Sequence, residues 1–350
     1  MRICCTSVLA LLMACEAEEP AEPDRVKTRP SESTGPTGTS QSTWTGTTGT
    51  TTGASTTPTS LPEYDCDTMP LMPISETQLD APRGYNDLVF DLNGEMIGHD
   101  STNDNFIRAS DPDTAVLHAS KNSTVYKMGM LSTGDFVANT NNSGLILVTP
   151  QGAVTTLNPN VTGYGLAVHE NDTIYVATNY TVGADAIATV DPVTGDYEII
   201  QVLPSTPRAI AFSRDFSVLY IGTTDNGDVY KLPLDANGVP VADASRLVVV
   251  PDAWHDTVEV DACGNVYVGS VFSTSIFRIN SDLSVDEILN WTGGFNGGYG
   301  HGMEWGDASG GWNEMSVYVT QPYGGSRVTE YDLGVPGQGW PGIVLNGHTL

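Results

Sequence analysis

Arg208, Asp256 and His301 are the side chains of this sequence best suited to chemistry. Each stands just ahead of a short apolar run, at 209–212, 257–260 and 303–305. A guanidinium stays protonated and offers a fork of donors to a carboxylate or phosphate. A carboxylate near an imidazole makes a general-base pair, so Asp256 and His301 are the candidate catalytic residues. No Gly-x-Ser-x-Gly elbow and no His-Glu-x-x-His motif occurs, which removes serine-hydrolase and zincin mechanisms.

A repeated unit must position these residues. Its clearest copy runs from Val258 to Gly269: an apolar strand, a turn at Asp261–Gly264, and a second apolar strand. Further copies begin at Leu88, Met128, Leu166, Ile210 and Met303, which makes six with the first. The period is roughly 40 to 50 residues, the size of a four-stranded propeller blade. Third and fourth apolar runs follow, as at 228–232 and 247–250, and no helical period is found after residue 65. The Asp-x-x-Gly turns at 91–94 and 261–264 read as hairpins, because Asp accepts local amides and Gly supplies positive φ. The expected fold is all-β, a six-bladed β-propeller of four-stranded antiparallel blades over 63–350. Either 71–79 or 342–345 supplies the strand that closes the last blade.

Ahead of it, Met1-Arg2 is followed by an apolar run ending at Cys15, too short to span a bilayer. Leu12-Met13-Ala14-Cys15 resembles a bacterial lipobox, which implies a signal peptide over 1–14 and a lipid on the Cys15 sulfur. By the same resemblance, Glu16 after the cysteine favours the outer membrane or cell surface of a Gram-negative bacterium. Residues 15–62 begin acidic and become almost entirely Thr, Ser, Gly and Pro, a composition that makes a disordered tether. Cys4 and Cys5 would leave with the signal. Cys66 and Cys263 then remain, as a disulfide in an oxidising compartment or as two free thiols. With 14 basic and 42 acidic side chains the formal charge is -28, which argues against nucleic-acid binding.

The repeat 258–279, and the run Pro207-Arg208-Ala209-Ile210-Ala211-Phe212-Ser213-Arg214-Asp215, resemble the gluconolactonase/regucalcin superfamily and NHL-repeat propellers. That resemblance implies six blades and a divalent metal on the axis. Its ligands, a Glu, two Asn and an Asp, stand two residues before the first aliphatic of the innermost strand. The same offset here gives a ring of Asn86, Tyr126, Tyr164, Arg208, Asp256 and His301. Only Asp256 matches the pattern. Arg208 cannot ligate and would repel a dication, and Asn86 with Asp256 gives too few oxygens. No cofactor is therefore expected, and a divalent metal, were one bound, would use Asp256 and Asn86. The Gly-rich segment 291–302, with Trp291, Phe295 and Tyr299, reads as a loop over the channel mouth that delivers His301.

These features make the chain a cell-envelope lipoprotein whose propeller binds a small molecule, glycan or protein at the ring mouth. The competing reading is a gluconolactonase-like hydrolase or lyase with a degenerate metal site.

Overall fold

The structure, a computed structural model, describes residues 63–83, 85–100, 102–121, 123–178, 185–291, 300–322, 327–338 and 344–346. At 63, 81–83 and 344–346 only the backbone is described. The expected signal segment 1–14, Cys15 and the tether to residue 62 lie outside this set. So do Phe295, Tyr299 and most of the Gly-rich segment, along with Gly342 and Ile343.

Short Val-, Ile- and Tyr-rich strands alternate with turns, and each pairs with the next strand in sequence. Six four-stranded antiparallel sheets result. The innermost strands are Tyr85–Phe90, Val125–Met130, Gly163–Val168, Pro207–Phe212, His255–Val260 and Gly302–Trp305. The Asp-x-x-Gly turns form as expected. Asp91 Oδ1 accepts the amides of Asn93 and Glu95, and Gly94 adopts a φ of 74°. Asp261 Oδ1 accepts from Asn265, and Gly264 adopts 84°.

The apolar residues divide into six buried clusters, one at each boundary between adjacent blades. A single sheet cannot bury both faces, so each blade depends on its two neighbours. Outer strands pay least into this core, and Tyr197–Val202 is largely exposed. The ring therefore has to close.

Closure comes from the N-terminal side. Ser75–Arg83 pairs antiparallel with Arg327–Asp332 as the outermost strand of the sixth blade. Of the two expected closing segments, the first does the work, shifted a few residues onward. The second does not: Val344–Asn346 pairs parallel with Glu63–Asp65 in a separate two-stranded sheet. On its way to the sixth blade the N-terminal segment is fastened at several points. Tyr64 Oη donates to the Gly334 carbonyl at 2.5 Å, and Arg278 Nη1 donates to the Pro70 carbonyl at 2.8 Å. Cys66 and Cys263 are joined as a disulfide with Cα atoms 5.7 Å apart, across 197 positions of sequence.

A cross-link over so long a segment restricts the unfolded chain strongly, on the order of 2–5 kcal/mol. Reductant should lower the denaturation midpoint of the native chain and leave that of Cys263→Ser unchanged. Equal midpoints for the native chain with and without reductant would show that the link contributes nothing.

Candidate functional site

Each innermost strand begins at the same mouth of the axial channel, so the residue near its start is aimed at the axis. The structure brings the six ring residues together in sequence order. Asn86 Nδ2 donates to the Val125 carbonyl at 3.2 Å, beside Tyr126. The Tyr126 and Tyr164 rings meet edge to face with centroids 4.9 Å apart. The Arg208 guanidinium stands over the Tyr164 ring at 4.1 Å and over the Trp254 ring at 4.9 Å. Its Nε donates to Asp256 Oδ1 in a buried ion pair. Asp256 Oδ2 then faces His301 Nε2 at 4.0 Å. His301 Nδ1 completes the circuit on the Asn86 carbonyl at 2.9 Å.

Two consequences follow for chemistry. The general-base contact between Asp256 and His301 is not formed, since 4.0 Å exceeds hydrogen-bond range. Burial pushes the His301 imidazole down to about 4, with Asp256 opposing, so the ring is neutral near pH 7. Because the Asn86 carbonyl can only accept, Nδ1 carries the proton and Nε2 turns its lone pair toward Asp256. Two acceptors then face each other, and Asp256 Oδ2 is left without a hydrogen bond.

The second consequence concerns the axial metal. The residues present do not fit one. Arg208 places a permanent cation at the ring, and the carboxylate that would ligate is already held by it. Among the described residues, no group of three or more His, Cys, Asp or Glu is arranged to hold a metal ion.

Below the ring lies a second set of charges that the sequence reading missed. Asp87 follows Asn86, and its Oδ1 accepts from Lys127 Nζ at 3.1 Å while Oδ2 accepts the Met128 amide at 2.7 Å. Lys127 Nζ also donates to the His301 carbonyl at 2.7 Å, which ties three blades at the axis. Glu259 and Glu304 stand three residues past Asp256 and His301 on the fifth and sixth innermost strands. Both line an axial cavity of about 370 Å³. Burial pushes Glu259 well above the usual carboxylate range, and Glu304 adds to it. Burial likewise pushes Glu304 up to about 8, with Asp87 adding to it. The signal was present in sequence as a charge inside an apolar strand, Val258-Glu259-Val260 and Met303-Glu304-Trp305.

These groups set opposing pH dependences. His99, His255 and His301 titrate near 6.5 when unfolded and about 4 when folded, all pushed down chiefly by burial. Between those values the unfolded chain binds more protons, so stability drops as pH falls. Glu304 works the other way: folded it keeps its proton to about 8, unfolded it ionises above 4.5. Its contribution is therefore lost as pH rises through that window. Glu304→Gln should raise the unfolding temperature at about pH 8 and change it little at about pH 5. An equal change at both would contradict the assignment.

No family model and no curated protein matches the sequence. Solved structures do resemble the described chain. A calcium-binding regucalcin from Agrobacterium tumefaciens is 16% identical, covers 76% of this chain and 96% of its own, and superposes with a TM-score of 0.59. A gluconolactonase from Xanthomonas campestris is 14% identical, with coverages of 76% and 97% and a TM-score of 0.57. An auxiliary nutrient binding protein from Bacteroides thetaiotaomicron is 13% identical, with coverages of 71% and 69% and a TM-score of 0.56. At such identities the likeness is one of architecture, and the chain shares with these proteins the six-bladed β-propeller fold.

Proposed function

We propose that this protein is a surface-tethered binding module, built on a propeller of the regucalcin and gluconolactonase type but without metal-dependent lactone chemistry. The observation that carries this reading is the Arg208–Asp256 ion pair in the polar ring. A lactonase of that fold needs an open cation site at this mouth. Here the mouth holds a guanidinium stacked on Tyr164, a Tyr126–Tyr164 ring pair, and a neutral imidazole bonded to the Asn86 carbonyl. The auxiliary nutrient binding proteins among the structural relatives are the precedent for a propeller that binds.

In this reading Asn86, Tyr126, Tyr164, Arg208, Asp256 and His301 form a rim for recognition, and Asp256 with His301 is not an acid–base pair. A ligand carboxylate or phosphate at that rim would have to displace Asp256 from Arg208. The partner is a small molecule, glycan or protein, and the address is the outer membrane or cell surface. The support for that address is the sequence around Cys15 and the Thr-rich tether that follows. Among the described residues no helix is long and apolar enough to cross a membrane.

Two measurements test the proposal. Metal analysis of purified protein, with lactone turnover assayed under added divalent cations, should give no stoichiometric metal and no rate above background. Bound metal with turnover that vanishes in Asp256→Ala would replace the binding module by an enzyme. For the anchor, Cys15→Ser should move the protein from the membrane fraction to the soluble fraction; unchanged partition would remove the lipoprotein reading.

A further inference from the structure

The axial cavity is separate from the ring. Every innermost strand contributes to its wall, starting one or two residues past the ring position, and none of the six ring residues does. It runs toward the opposite mouth, where Phe90, Met130, Val168, Phe216, Asp307 and Gln338 keep partly exposed surface. Its volume of about 370 Å³ falls within the range of small-molecule pockets, which starts at roughly 300 Å³.

The wall has an uneven charge. Buried Leu88, Met128, Leu166, Ile210, Val258 and Met303 supply its apolar part, and polar groups make up about as much of the wall. Lys127 is taken up by Asp87 and the His301 carbonyl. Glu259 and Glu304 remain, and among the described residues neither forms an ion pair; the surface they keep faces the cavity. Two carboxylic groups in this channel are costly to keep ionised without a cation, and they gain nothing for the fold. A chamber with aliphatic side chains and two unpaired carboxyls in its wall is matched by a ligand that carries both an apolar body and a cation.

We infer that this cavity binds an organic ammonium: a primary amine on a small apolar body, with the amine between Glu259 and Glu304 and the body against the aliphatic wall. Entry is by the mouth opposite the ring. Sign is selected on binding, because an ammonium can take the place of the protons on Glu259 and Glu304 whereas an anion cannot. Asp87 is already matched by Lys127, and Asp307 adds negative charge to the wall. Carboxylates and phosphates are repelled, and neutral alcohols of the same length keep only the apolar contacts. The raised carboxyl affinities for protons fit this arrangement, since an arriving ammonium takes the place of a bound proton. The inference goes beyond the binding-module reading and adds a second site, at the mouth opposite the ring.

Isothermal titration of the full chain with hexylammonium, hexanol and hexanoate tests it. Hexylammonium should bind one to one and at least about tenfold more tightly than hexanol, the gain of a charged hydrogen bond. Hexanoate should give no heat of binding. In the Glu259→Gln, Glu304→Gln double variant the preference for hexylammonium over hexanol should vanish. Gln has the same shape and relieves repulsion between the acids, so a folded variant is expected, and its thermal unfolding checks this. Should the variant fail to fold, the three ligands on the unaltered chain still decide. Equal affinity for hexylammonium and hexanol, binding of neither, or a preference that survives in the double variant would each overturn the inference. Lactone turnover alongside hexylammonium binding would leave this site standing and remove only the binding-module reading.

Discussion

Arg208 and Asp256 form a buried ion pair at the one level where six strands converge on an axis. Removing two charges from water is expensive, and it is offset only by close geometry and by satisfaction of the remaining donors. The aromatic faces of Tyr164 and Trp254 supply part of that, because a desolvated guanidinium gains from a ring quadrupole. Everything else at this mouth follows from the pair. Asp256 has one oxygen committed, His301 sits neutral against the other, and the Asn86 carbonyl fixes which nitrogen holds the proton. The carboxylate that would ligate a dication at the ring is held by Arg208.

Moving along the axis, the charge balance changes. The ring carries one cation matched to one anion, and Asp87 with Lys127 repeats that match one step deeper. Glu259 and Glu304 have no such match, and burial favours their protonated forms. The propeller thus has paired charges at one mouth, with a chamber of mixed polar and apolar wall and two unpaired acids leading to the other. This asymmetry comes from single residues on innermost strands, while the six interblade clusters hold those strands in place.

The architecture was legible because it rests on repetition. Apolar runs like Val266-Tyr267-Val268 and turns like Asp261–Gly264 recur often enough to count blades and set a common register. That register also placed Asn86, Tyr126, Tyr164, Arg208, Asp256 and His301 correctly side by side. What it did not contain was distance. Whether Asp256 would turn to Arg208 or His301 depends on packing around Tyr164 and Trp254, and Trp254 lies outside the repeat. The acids at 259 and 304 went unread for a different reason. A lone acid inside an apolar run does not say which way it points, and only the fold puts both at the cavity wall. The closing strand was found in outline, but which terminus supplies it depends on pairing with 327–332, which local pattern does not encode.

The most direct test of this account is a double-mutant cycle on stability with Arg208→Met, Asp256→Asn and the double variant. A buried, desolvated pair that organises the ring predicts a coupling energy of about 2 kcal/mol or more, with either single change costing more than the double change implies. Additive effects, within about 0.5 kcal/mol, would mean that the two side chains are independent and that Asp256 is free for a metal or a substrate.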